Sequence, residues 1–352
     1  MSAVYPMDGL VGARSRPRSI VNFGADTRQL RQRLNGRAHR MDLTLTQRDT
    51  QILTMVHQYS GVTIDHLQQR YFPTKGARSS CYARVQKLVV AGFLLSRRLG
   101  SVTGVGSGKA FLTLGPQGRS VIACQLGLPL AELGRSSRRA VPTLIHHHLA
   151  ICDVRLSLEL AAERSSVFTL TEWIPESTLR QAPVHVTDPL SQQVIPLVPD
   201  GAAQLALPDG TTQGFFFELD MGTIAPKRMQ LKLGAYLATG SGQPLPVLFI
   251  VPDEPRQQAL IRWTVNAAER SRQDPTLIWF TTRGRVTSAT ILDQPIWQVA
   301  GGPDGLSLRD VVTSAAIDRS VGIDTESSRY ESAKSRQWLT GNATDSVSKS
   351  PS

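Results

Sequence analysis

Two carboxylates close a run of phenylalanines in "FFFELDMGT", residues 215–223. The aromatics read as a buried strand. Alternate side chains on a strand share a face, so Glu218 and Asp220 project together. Neighbouring like charges are unfavourable unless a cation lies between them or one carboxyl keeps its proton. Divalent metal ions, basic groups and nucleic-acid chemistry are the usual settings for such a pair. Other patterns carry less. In the triple histidine His146–His148, adjacent helical positions point about 100° apart, so three cannot converge on one ion from a regular helix. His147 falls on a core-facing stripe and is expected to be buried and structural. "GVGSGK", residues 104–109, lacks the full phosphate-loop pattern. Cys81, Cys124 and Cys152 are scattered without the spacing of a zinc site or a disulfide framework, and read as reduced. No Ser/His/Asp arrangement stands out.

The elements that must position the acids follow from periodicity. His147, Ile151, Val154 and Leu158 recur on one face, which predicts a helix over 143–165. Strand-like pieces follow at 167–174, 200–207 and 214–220. A helix at 226–238, a strand at 246–251, a helix at 255–271 and a strand at 276–281 complete the pattern. On the third strand Phe215 and Phe217 should face one side, with Phe216, Glu218 and Asp220 on the other.

The front of the chain reads differently. Thr46 with Asp49 resembles a helix cap, and Ile52, Leu53, Val56 and Tyr59 recur behind it until Gly61. Thr63 can cap a second helix, whose apolar face is Ile64, Leu67 and Tyr71, up to Pro73. A third is expected over 77–91, with Tyr82, Val85, Leu88 and Val89 inward and Ser80, Arg84 and Lys87 on the opposite face. Strands at 93–98 and 109–114 flank a Gly/Ser-rich loop edged by Arg97, Arg98 and Lys109. Three helices followed by such a hairpin form the layout of a winged helix-turn-helix. Its third helix would enter the major groove, and its wing would touch phosphates. Lys75, Arg78, Ser80, Arg84, Lys87, Arg97, Arg98 and Lys109 are then the candidate DNA contacts.

Charge agrees with that reading. The 352 residues carry a net +11. Residues 1–40 hold eight Lys/Arg against two Asp/Glu, and residues 41–140 hold thirteen against four. Residues 141–300 hold twelve against fifteen. A basic front suits a polyphosphate partner, because neutralising phosphates releases counterions. The organisation expected is a flexible basic arm over 1–40, a winged-helix domain over 41–130 and a basic linker at 134–142. An α/β domain over 143–300 and a mostly disordered tail over 301–352 follow. No apolar run nears the roughly 18 residues of a membrane span, and the start lacks a secretory apolar core. A cytoplasmic protein without membrane association is expected.

Two resemblances sharpen this. The order α-β-β-β-α-β, with Pro199–Asp200 followed by Glu218–Asp220, is similar to the restriction-endonuclease-like core and its PD-(D/E)xK pattern. Here the usual lysine position is Asp220. The fold class expected is therefore α+β, a winged helix followed by a nuclease-like α/β domain. The resemblance implies Mg²⁺ held by Asp200, Glu218 and Asp220, with Lys232 on the next helix supplying the missing lysine. The competing reading is an ion network, in which Lys227, Arg228 or Lys232 pairs with the acids, or an inert nuclease-like fold. More narrowly, the chain resembles the replication-relaxation family of plasmids and mobile elements. The motifs are "LTxRDxxIL" (Leu45–Leu53), "LxxRYFP" (Leu67–Pro73), "HxLAIxDV" (His147–Val154), "FFFELDxGT" (Phe215–Thr223) and "KLGAY" (Lys232–Tyr236). The resemblance implies double-stranded DNA as partner, in replication, relaxation or transfer, with metal-dependent nicking left open. Other replication or transfer proteins and a second copy of the chain are further candidate partners. The alternative is a non-catalytic winged-helix regulator whose second domain mediates assembly.

Overall fold

A computed structural model describes residues 43–99, 109–131, 133, 142–187, 192–208, 210, 212–239, 245–302 and 304–310. The expected arm at 1–40, the tip of the hairpin at 100–108, most of the linker and nearly all of the tail lie outside the described residues. The protein is a mixed α+β structure.

The front module opens with α1 (Gln47–Gln58). Its start is a reciprocal cap: the Asp49 amide donates to the Thr46 hydroxyl, and the Thr46 amide donates to Asp49 Oδ2 at 2.6 Å. The chain then turns through Gly61, whose φ of +124° and closeness to the Phe111 ring leave no room for a side chain. A two-residue strand, β1 (Val62–Thr63), leads into α2 (Ile64–Tyr71), capped by Thr63. Then come α3 (Arg78–Val90), β2 (Leu94–Arg98), β3 (Ala110–Leu114) and α4 (Pro116–Leu126). The three strands pair antiparallel in the order β1-β3-β2. The strand β1 is too short to leave a periodic signal, and periodicity missed it.

On α3 the buried stripe is Cys81, Val85 and Leu88. Two expectations for this helix are corrected. Tyr82 does not face inward: it lies about 100° from that stripe and is 52% exposed. Arg84 does not project from an outer face; its guanidinium turns back onto Asp49.

The back of the chain begins with α5 (Pro142–Arg164), then β4 (Thr169–Pro175) and a single turn, α6 (Glu176–Leu179). A small antiparallel hairpin, β5 (Val184–Thr187) and β6 (Val194–Leu197), interrupts the expected order. The order then resumes with β7 (Gly201–Ala206), β8 (Thr212–Leu219), α7 (Pro226–Leu237), β9 (Val247–Val251), α8 (Glu254–Ser271), β10 (Ile278–Thr282) and β11 (Gln298–Val299). Six strands form one sheet in the order β11-β10-β9-β8-β7-β4. The neighbours β8, β9 and β10 run parallel, and α7 and α8 supply the crossovers that parallel pairing needs. Every residue of β9 and β10 is buried, as expected for central strands covered on both faces.

The core on one face joins Phe216, Phe249 and Phe280 to Met229, Leu233 and Tyr236 of α7 and to Leu260 of α8. Phe217 points the other way and packs on Trp173 at 5.5 Å between ring centres. Helix α5 joins the front module to the sheet. Cys152 and Leu156 pack with Ile52, Leu67 and Leu88 of the front module, while His147 reaches the end of β8. Polar contacts line the same seam: Tyr59 donates to Glu159 at 2.7 Å, and His66 meets Asp153 at 2.7 Å. No helix among the described residues is long and apolar enough to cross a membrane.

Candidate functional site

Antiparallel pairing sets Gly201 opposite Phe217, which places Asp200, one residue earlier, across from Glu218. The Asp200 amide donates to the Phe217 carbonyl at 3.0 Å and extends the ladder by one bond. Gly201 is required beside it, because a Cβ there would stand 2.7 Å from the Trp173 ring. The Asp200 carboxylate then folds back over the strand end. Its Oδ2 accepts from the Leu219 amide at 2.8 Å and faces His147 Nε2 at 3.2 Å.

Glu218 is 2% exposed and points from β8 onto α7. Lys232 and Tyr236, four apart on that helix, stand on its inner face. Lys232 Nζ donates to Glu218 Oε2 at 2.5 Å, and the Tyr236 hydroxyl donates to Oε1. Burial pushes the Glu218 carboxyl up to about 7; the Lys232 charge opposes that rise and the Asp200 charge adds to it. Burial works against the Lys232 ammonium, but Glu218 and Asp200 together hold it above the usual lysine range. Asp200 shows the reverse balance: burial raises it, yet the bond from His147 and the nearby positive charge bring it below the usual carboxylate range. That same bond lifts the His147 imidazole. The structure therefore brings together Asp200, Glu218 and Lys232, with His147 and Tyr236 added, in a cluster whose charges largely cancel.

Asp220 stands apart from it. One of its oxygens accepts from Arg256 Nε at 2.6 Å, and the other from the Gly222 amide at 3.0 Å. Arg256 also donates to the Ile224 carbonyl at 3.3 Å. Asp220 thus pins the connection from β8 to α7. Among the described residues no group of three or more His, Cys, Asp or Glu side chains is placed to hold a metal ion. Both Glu218 oxygens are occupied by donors, and Asp220 is turned to a guanidinium. As arranged, the donor set does not fit a divalent ion.

The candidate DNA contacts lie on the front module. Lys75, Ser80, Lys87, Arg97 and Arg98 are exposed. Arg78 and Lys109 are exposed too, and both pair with Asp65, at 2.9 and 3.4 Å, which draws the foot of the hairpin to the start of α3. Arg84 differs. It grips Asp49, which is 0% exposed, and donates to the Thr44 carbonyl at 3.2 Å. Burial raises the Asp49 carboxyl, but the bonds from Arg84 and Thr46 outweigh it and hold the group low. Beyond Arg78, the exposed face of α3 consists of Ser79, Ser80, Tyr82, Ala83, Lys87 and Val90, with Gln86 partly covered.

Sequence reasoning expected His147 to be buried and structural, where it is partly exposed and meets Asp200, and it did not single out Tyr236 or Arg256. The spacing of Lys232 and Tyr236 on one helical face was available as a signal for Tyr236. For Arg256, 36 residues beyond Asp220, there was none.

The replication-relaxation family profile matches residues 53–244, more than half of the chain. The chain belongs to the replication-relaxation family. The matched span of this family member takes in α2, α3, the hairpin, all of α5 and the Asp200–Glu218–Lys232 cluster. No curated protein and no solved structure matches the chain.

Proposed function

We propose that this replication-relaxation protein binds duplex DNA through its front module and acts in the replication or relaxation of a plasmid or mobile element. The module reads as a winged helix: α2 and α3 form the helix-turn-helix, and β2 and β3 the wing. The observation that carries the reading is the outer face of α3. It presents Ser79, Tyr82, Gln86 and Lys87 and is flanked by exposed Arg97 and Arg98 on β2. An apolar ring edge, an amide and an ammonium on one face are the side-chain types that reach base edges. The arginines on the strand suit phosphates.

The carboxylate cluster is an ion network in this reading. It locks the ends of β7 and β8 to α5 and α7, and the sheet serves as the body that carries the reading head. Because the donors do not fit a divalent ion, no metal-dependent step is part of it. The second reading, nicking, is favoured by one observation: Asp200, Glu218 and a lysine do meet at the strand ends. Incubating supercoiled plasmid with Mg²⁺ or Mn²⁺, with native protein and an Asp200→Ala, Glu218→Ala double variant, separates the two. Nicking by the native protein alone would overturn the ion-network reading.

DNA binding is tested by fluorescence anisotropy on a duplex pool at several salt concentrations. Lys87→Ala with Arg97→Ala and Arg98→Ala should weaken binding and lower the salt slope by up to about one unit per lost phosphate contact. An unchanged affinity and slope would refute the placement of α3 and the wing.

A further inference from the structure

The outer face of α3 is particular in what it offers and in what it withholds. The buried stripe of this helix is Cys81, Val85 and Leu88. At about 100° per residue, Ser79, Ala83, Gln86 and Val90 fall within roughly 60° of one another on the opposite side, with Tyr82 beside them. Tyr82 and Val90 are each more than half exposed, although most of their surface is apolar. Among the described residues the Tyr82 hydroxyl and the Gln86 amide make no hydrogen bond, so both are available to a partner.

Charge is kept off this crest. The helix holds no Asp or Glu, and its arginines are Arg78 and Arg84. Acids of the same module engage both: Arg84 grips buried Asp49, and Arg78 pairs with Asp65 at 2.9 Å. On the helical wheel these arginines stand about 100° and 140° from Ser79, one to each side of the crest. Lys87 stands about 80° round from Ser79, on the flank, where an ammonium on a long stem suits a phosphate.

Base edges in the major groove sort these side-chain types. Guanine presents two acceptors, which a guanidinium pairs, and cytosine presents a donor, which a carboxylate accepts. The adenine edge, a donor next to an acceptor, matches the amide of glutamine, and the thymine methyl takes an apolar contact. The crest of α3 has the amide, the aromatic ring and the small apolar side chain, and it has neither a guanidinium nor a carboxylate.

We infer that α3 reads A·T base pairs in the major groove, with Gln86 on an adenine edge and Tyr82 and Ala83 against thymine methyls. The inference rests on the duplex-binding reading of the front module and adds the class of base pair it selects.

Fluorescence anisotropy of the full chain on short alternating duplexes of dA·dT, dA·dU, dG·dC and dI·dC is the test. Inosine keeps the major-groove edge of guanine but lacks its minor-groove amino group, so dI·dC joins a G·C major groove to an A·T minor groove. The dA·dT duplex should bind roughly tenfold tighter than dG·dC and dI·dC alike. Loss of the methyl in dA·dU should weaken binding roughly three- to fourfold per contacted thymine. Equal affinity for dA·dT and dI·dC, or for dA·dT and dA·dU, would overturn the inference. If affinity for every duplex then still fell with salt, duplex binding itself would stand. Absence of binding to any duplex would overturn both.

Tyr82 and Gln86 lie off the buried stripe, so both can be changed without opening the core of the module. Gln86→Ala should bring dA·dT affinity down towards that of dI·dC, and Tyr82→Ala should narrow the gap between dA·dT and dA·dU. Affinity for dI·dC should stay at its native level in both variants, which a loss of folding would not spare. Retention of the full native preferences by the two folded variants would overturn the assignment.

Discussion

Replacing Tyr236 with phenylalanine removes one hydroxyl from a site where almost nothing else changes. The ring stays edge-on to Phe249, 5.9 Å between centres, and the side chain it served, Glu218, stays buried. What is lost is the donor to Glu218 Oε1. With the carboxyl ionised, such a charge-assisted bond is worth roughly 1.5–3 kcal/mol; with it protonated, roughly 0.5–1.5 kcal/mol. The two regimes fall on either side of about 7, where burial places Glu218, against an ordinary 4.5. Because the folded value is the higher one, Glu218 favours folding at low pH, and that contribution fades as pH rises from about 4.5 towards 7. Removing the hydroxyl weakens stabilisation of the anion, pushes the folded value higher and extends the window upward. Urea unfolding at pH 5.5 and pH 8.5 should therefore show a deficit of the variant relative to native protein that grows by about 1 kcal/mol at the higher pH. A deficit equal at both pH values, or larger at pH 5.5, would refute the account of Glu218 as a buried carboxyl held by Lys232 and Tyr236.

Arg84→Ala should act on stability, costing roughly 3 kcal/mol by leaving the buried Asp49 carboxylate unpaired, while folded variant still binds DNA. Asp49 is held low in the native fold, so its contribution is present above the ordinary carboxylate range and is lost as pH falls; urea melts should show the cost shrinking towards pH 3. Deleting residues 1–40, which hold eight Lys/Arg, should reduce the salt slope of DNA binding without altering sequence preference in a competition assay. Added Mn²⁺ should leave the thermal midpoint of the native protein unchanged, since donors already occupy Glu218 and Asp220; a rise that Glu218→Ala abolishes would restore a metal site.

The regular elements were legible because each carries a period. The run at 214–220, the five apolar residues of β9 and the stripe on α1 announce themselves, and each lies within two or three residues of its expected bounds. The alternation in "FFFELD" also placed Phe216 and Glu218 on one face and Phe217 on the other. Elements too short for a period were missed, namely β1, α6, the β5–β6 hairpin and β11, and the eleven-residue helix α4 after the hairpin was not expected either. Arg84 was misplaced because helical spacing shows which residues share a face, not whether a cation there finds a buried acid 35 positions earlier. Tyr82 was misread because an aromatic was counted as apolar, although its neighbours at the buried spacing are Cys81 and Val85. Within the site, Lys232 was a candidate partner of Glu218 from sequence. The turn of Asp220 to Arg256 rests on packing of α8 against the sheet, a long-range fact with no local trace.

Helix α5 completes the core of the front module and also touches the end of β8, and this makes it an axle. Cys152 and Leu156 complete the hydrophobic interior of the front module, so a fragment ending near residue 130 would be cut off from part of its own filling. Transplanting the front module onto another protein would demand the helix as well. Torque works the same way. Under the proposed function, a twist imposed by a duplex on α3 would pass through the apolar seam that α3 shares with α5, beside the Tyr59 and His66 contacts. From there it reaches the strand ends that His147 touches. Under that proposal, deformation of the duplex would be felt at the sheet through one continuous helix of 23 residues.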